Sequence, residues 1–129
     1  MSFKDKVAEN KRVAEMCLKA KAYNAGASRA YYSAFLHIKS FLRGNGFDYE
    51  TFLLQNNLDD KVYSHGTIQH AVVACLFGKG KNPMDIYKLN CIDSMYKKRR
   101  RADYENDVII EAELIDSLKE LDTVLTTVV

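Results

Sequence analysis

The ten residues Met95–Tyr104 read Met-Tyr-Lys-Lys-Arg-Arg-Arg-Ala-Asp-Tyr, an unbroken run of cations from Lys97 to Arg101 followed by an acid and a phenol. A run of like charge is ordinarily a solvated helix face, and that account suits Lys97, Lys98 and Arg100. It suits Arg99 less well. On a helix, Leu89, Ile92, Tyr96, Arg99 and Asp103 follow one another at steps of three, four, three and four, so Arg99 and Asp103 continue an apolar stripe. A guanidinium on such a stripe needs a partner, and Asp103 one turn on is the local candidate. The same arrangement serves a structural ion pair or a functional site.

The chemistry these types allow is recognition of phosphate. A guanidinium holds a phosphate bidentately and offsets charge in phosphoryl transfer. A tyrosine with an ordinary pKa near 10 donates a hydrogen bond well but is a poor base at neutral pH. Arg99 and Tyr104 are five residues apart, about 140° around an unbroken helix, so a break near Ala102–Tyr104 would let both face one cleft. Tyr104 fits equally as a core aromatic with its hydroxyl at the rim. Of the three histidines, His65 follows Ser64 at an expected helix start and is the candidate for proton transfer. His37, between Leu36 and Ile38, reads as structural or interfacial, and His70 has no evident partner.

Other chemistries lack their motifs. There is no GxSxG, phosphate loop, dinucleotide fingerprint or HExxH, and Gly78-Lys79-Gly80 follows no strand. Cys17, Cys75 and Cys91 are scattered, outside any CxxC pair, and read as reduced, buried thiols of a cytoplasmic protein. No metal or cofactor is expected. The net charge of +2 and mean hydropathy of −0.29 say little on their own, and no apolar run approaches the length of a membrane span.

The elements that must position these residues read as helices. One proline and no alternation of β-branched with polar residues favour an all-α chain, and 129 residues suit one domain over 1–129. A first helix is expected from about Phe3 to Tyr23, carrying Phe3, Val7, Val13, Met16, Cys17 and Ala20. A break at Asn24–Ser28 is expected, punctuated by Gly26. The second helix, about Ala25–Arg43, sets Ala27, Ala30, Tyr31, Ala34, Phe35, Ile38, Phe41 and Leu42 on one face, with Arg29, Tyr32, Leu36, His37 and Lys39 opposite. Phe47–Tyr63 reads as a loop with at most one short helix. Ser64 is the expected cap of a third helix, about His65–Phe77. A fourth starts near Pro83 and runs into the basic stretch, a bend follows at Asp103–Asp107, and a fifth covers about Val108–Thr126 with Leu114, Ile115, Leu118, Leu121, Leu125 and Val128 inward. The expectation is an up-and-down bundle of four long helices and one shorter.

Three of these segments carry a resemblance. Ser28-Arg29-Ala30-Tyr31-Tyr32-Ser33-Ala34-Phe35 resembles the R-A-Y-Y-A-x-F signature in the second helix of HEPN domains. Ser64-His65-Gly66 is similar to the S-H-x-G start of a later helix in that family, and Arg99–Tyr104 is similar to its R-x-x-A-D-Y segment. They occur in the family's order and span about Ala25 to Asp107. The resemblance implies a compact HEPN-like helical bundle, a two-fold homodimer, and either a metal-independent ribonuclease of toxin–antitoxin type or a companion of a small nucleotidyltransferase. It also implies an R-x(4–6)-H catalytic motif, from which this chain departs: Tyr104 stands where the histidine would follow Arg99, and no histidine occurs after His70. The expectation is therefore a module that binds a nucleotide or RNA phosphate through Arg99, with Asp103 orienting it, Tyr104 donating a hydrogen bond, and Lys97, Lys98, Arg100 and Arg101 as an electrostatic rim. Arg29 and Tyr32 would face the same cleft or the dimer seam. Two alternatives stand: a ribonuclease with a divergent Arg99–Tyr104 site in which His65 supplies proton transfer, and a structural protein whose basic run meets an acidic partner.

Overall fold

A computed structural model describes residues 2–129, and they are all-helical, with no strand among them. The elements are α1 (Phe3–Lys19), α2 (Tyr23–Gly44), α3 (Tyr49–Gln55), α4 (Ile68–Gly78), α5 (Pro83–Tyr87), a single 3₁₀ turn Lys88–Asn90, α6 (Cys91–Tyr104) and α7 (Glu111–Thr127). None is long and apolar enough to cross a membrane.

Local chemistry sets several ends. Ser2 and Asp5 form a reciprocal capping box at α1. Asp48 accepts from Thr51 N at 3.1 Å to cap α3, and Asn82 accepts from Met84 N at 2.9 Å ahead of Pro83 in α5. At α7 the Glu113 carboxylate accepts from Ile110 N at 3.2 Å, and the Ile110 carbonyl, its side chain having no acceptor, accepts from Glu113 N at 3.0 Å. Ser64 does not cap α4 with its side chain. The helix begins later, at Ile68, and Ser64 Oγ instead meets Thr67 Oγ1 at 2.8 Å.

α2 is the hub, packed most extensively on α1 and then on α6 and α7. Its inward face is largely the expected one: Ala27, Ala30, Tyr31, Ala34, Ile38 and Leu42 are buried, and Phe35 and Phe41 are half-buried at its margin. The break before it lies elsewhere than expected. The chain turns at Ala20–Ala22, with Lys21 in the left-handed region at φ 59°, and Gly26 sits inside the helix. Its role is close approach: a Cβ there would stand 2.6 Å from Leu114 Cδ2 and 3.1 Å from Cys17 Cβ. Glycine is thus what lets α1, α2 and α7 meet.

Two stripes match their expected positions only in part. In α1 Val7 is buried as expected, Ala14 is buried beside it, and Met16 is exposed. Along α7 Leu114, Leu121 and Val128 are buried as expected, Ser117 and Val124 join them, and Ile115, Leu118 and Leu125 lie at the margin. The fourth expected helix is present but divided by the Lys88–Asn90 turn. Past it, Ile92, Met95 and Arg99 are buried along α6. The expected short helix in Phe47–Tyr63 is α3, and the polar bend follows Tyr104.

Candidate functional site

Arg99 is buried to 7% exposure on α6 beneath two phenols. Its Nη2 donates to Tyr32 Oη at 3.0 Å, from α2, and to Tyr104 Oη at 3.2 Å, from the last turn of its own helix. Its Cζ lies 5.2 Å from the Tyr32 ring centroid and 5.1 Å from that of Tyr104, within cation–π range of both. No break is needed to join Arg99 with Tyr104. α6 continues through Tyr104, and the length of the two side chains spans the 140° between them. Nor is Tyr104 a core aromatic, being 64% exposed.

The Asp103 carboxylate offsets the charge without an aligned bond. Its Oδ2 is 3.1 Å from Arg99 Nε, yet Nε has no hydrogen-bond partner and is shielded from solvent. Ser28 Oγ donates to the same Oδ2 at 3.1 Å, fixing Asp103 from α2. Nη1 donates to no described residue. Nη1 is not shut off from solvent, so Nε is the one donor of the guanidinium that is both buried and unbonded.

The remaining cations separate into two groups. Lys98 pairs with Glu120 at 2.7 Å in a largely buried contact. Arg101 pairs with Glu113, with Asp107 at 2.9 Å, and reaches Val108 O at 3.2 Å. These two, expected at the rim, tie α6 to α7 and hold the turn between them. Lys97 is exposed and pairs with Asp93 at 2.9 Å one turn back. Arg100 faces the phenols instead: its Nη1 reaches Tyr96 Oη at 3.4 Å and its Cζ is 5.5 Å from the Tyr104 ring. Arg29 completes the face from α2, its Cζ 5.9 Å from the Tyr32 ring and its Nη1 donating to Asn10 Oδ1 at 3.3 Å.

His65 joins the same surface from the loop before α4. It stacks on Tyr96 at 5.5 Å and 16°, and meets Tyr32 edge-on at 6.4 Å. Its Nδ1 is 2.8 Å from Tyr31 Oη. Burial, and then the Arg99 charge, hold its pKa below the ordinary 6.5, so the ring is neutral at pH 7. Thus Arg29, Tyr32, Arg99, Arg100, Tyr104 and His65 lie on one surface of alternating cations and rings, while Lys98 and Arg101 do not. Sequence reasoning missed Ser28 as the support of Asp103 and Tyr96 as the base on which His65 rests.

The other candidates are elsewhere. His37 Nε2 donates to Val128 O at 2.6 Å, a structural tie as expected, and His70 is exposed beside Phe52 and Leu58. All three cysteines are free thiols, half-buried where full burial was expected. Among the described residues no three of His, Cys, Asp or Glu are grouped to hold a metal ion.

No family model matches the chain, and no curated protein matches it significantly.

Proposed function

We propose that this chain is a HEPN-type helical module, an up-and-down bundle that binds a nucleotide or RNA phosphate in a cleft of a homodimer and serves in a toxin–antitoxin or nucleotidyltransferase-associated system. One observation carries the reading: Arg99 is a buried cation whose Nε lacks a hydrogen-bond partner and whose only hydrogen bonds among the described residues are to two phenols. Asp103 offsets the charge without an aligned bond and the phenols bring no counter-charge, so an anionic oxygen would complete the hydrogen bonding of the site. The flanking rings of Tyr32 and Tyr104 suit a nucleotide, since bases stack on aromatic faces. Arg29 and Arg100 extend the positive surface to either side. Tyr104 stands exposed at the edge, where a two-fold partner would close the cleft.

The test is binding of a single-stranded RNA oligonucleotide and of a mononucleotide, over a salt series, by wild type and Arg99→Met. Loss of one charge-assisted contact is expected to weaken binding by about tenfold or more. Equal binding by both proteins overturns the assignment, and a monomeric mass at working concentration removes the composite cleft.

A second reading, a metal-independent ribonuclease with a divergent Arg99–Tyr104 site, draws on a separate observation. His65, though distant in sequence, shares the Tyr32 ring with Arg99. Cleavage of RNA in the presence of chelator, lost in both Arg99→Met and His65→Gln, would support it. Absence of cleavage by the wild type would dismiss it. The structural-partner reading has less behind it, because Lys98 and Arg101 are engaged by acids of the same chain.

A further inference from the structure

Tyr31 and His65 come from two segments far apart in the chain, and they make one buried polar contact. Tyr31 is 1% exposed in the middle of α2. Among the described residues its hydroxyl hydrogen-bonds only to the His65 Nδ1, at 2.8 Å. A contact between a hydroxyl and an imidazole nitrogen has two proton arrangements, and the surroundings decide between them. If Nδ1 carried the proton, it would donate to Tyr31, and the phenolic O–H would be left with no acceptor in a dry site. If the phenol donates, every group is satisfied: Nδ1 is the acceptor and Nε2 carries the ring proton. Burial raises the Tyr31 pKa, which keeps its proton on the phenol.

The outward nitrogen of His65 is then defined. Nε2 bonds to no described residue, and it is not among the buried atoms that lack a partner, so it is open to the surface. The groups packed against the ring are Tyr31, Tyr32 and Phe35 from α2 and Tyr96 from α6, with the Arg99 charge close by. None of them is a carboxylate that would favour a second proton.

We propose that Tyr31 is a positioning residue that fixes His65 in the Nε2–H tautomer, making it a neutral hydrogen-bond donor to an anionic oxygen held beside Arg99. The donor role rests on the phosphate-binding reading given above; the tautomer does not. It also changes what His65 can do in the ribonuclease reading. The nitrogen that faces the ligand already bears a proton, so His65 donates to a phosphoryl oxygen and does not take a proton from a ribose hydroxyl.

The test is a long-range proton–nitrogen correlation spectrum of the imidazoles, in nitrogen-15-labelled protein at about pH 8, above the ordinary histidine range. His65→Gln assigns the signals. Wild type is expected to show His65 with Nε2 protonated and Nδ1 bare, and Tyr31→Phe to show a mixture of both tautomers. An Nδ1–H tautomer in the wild type overturns the proposal, and that measurement needs no variant to fold. An unchanged tautomer in a folded Tyr31→Phe protein removes the positioning role of Tyr31.

Inorganic phosphate is then titrated into the wild type, with the expectation that the His65 Nε2 signal moves while Nδ1 stays. An Nδ1–H tautomer together with a phosphate-dependent shift at the Arg99 side chain would sink Tyr31's role and leave phosphate binding standing. The expected tautomer with no phosphate response at either residue would sink the donor role and the phosphate reading together.

Discussion

Replacing Arg99 by methionine separates a functional guanidinium from a structural one. Methionine keeps the unbranched stem and removes the charge. The losses can be set out from the contacts. Tyr104 is 64% exposed, so its hydroxyl returns to water at little cost. The Asp103 side chain is 30% exposed and keeps its bond from Ser28, so it is not stranded. Only the half-buried Tyr32 hydroxyl is left poorly satisfied, at about 1–2 kcal/mol. Against that stands relief from burying a charge whose Nε has no partner. Replacing a whole buried ion pair by apolar groups is commonly neutral or stabilising by about 1–4 kcal/mol, and removing one partner is costly only where the other charge is stranded, which the exposure of Asp103 and its Ser28 bond prevent here. The two terms nearly cancel, and Arg99→Met is expected within about 1 kcal/mol of wild type. Arg99→Ala also loses two buried methylenes at about 0.8 kcal/mol each, plus a cavity, and should fall about 2–3 kcal/mol below Arg99→Met. Urea unfolding followed by helical circular dichroism measures both, the chain having no tryptophan to report. A loss above about 2 kcal/mol in Arg99→Met would refute the reasoning: the guanidinium would then be a structural pair, and its burial would need no ligand.

Three further outcomes are expected. Gly26→Ala gains about 1 kcal/mol of helix propensity but forces a Cβ against Leu114 and Cys17, both packed at the α1–α2–α7 meeting point, for a net loss of about 1–2 kcal/mol by thermal unfolding; an unchanged or raised Tm would contradict that packing. In the salt dependence of RNA binding, Arg100→Ala should flatten the slope by about 0.7 per lost phosphate contact, whereas Lys98→Met, whose ammonium is held by Glu120, should leave it as in wild type. Because the folded pKa of His65 lies below the ordinary 6.5, the unfolded chain binds more protons; its contribution to stability is complete above about pH 6.5 and is lost as the pH falls below that value through the folded pKa. The urea midpoint of wild type should therefore drop more steeply on acidification than that of His65→Gln, and parallel curves would refute the assigned environment.

What the sequence determined by itself is the local part. Helical character, the inward face of α2, the start of α5 at Pro83 and the end of α6 near Tyr104 all follow from contacts within a few residues, where periodicity and capping act directly. The Arg99–Asp103 juxtaposition was legible for the same reason, since residues four apart share a helix face. The full width of the α1 and α7 stripes was not. Ala14 and Ser117 are inside because of what lies opposite them, and a small or polar residue gives a weak inward signal beside the larger apolar residues of the same helix. Gly26 shows the ambiguity most clearly, as glycine marks a turn or a close approach, and only the position of Leu114 decides which. The grouping of residues at the candidate site came from tertiary structure. Tyr32 and Arg99 are 67 residues apart and Tyr31 and His65 are 34 apart, so no spacing rule connects them. The identical-looking cations of the basic run were divided by helix geometry: the α7 face that holds Glu113 and Glu120 took Arg101 and Lys98, and the aromatic face of α2 and α6 kept Arg99 and Arg100. Charge in a sequence has no direction until the neighbouring helix supplies it.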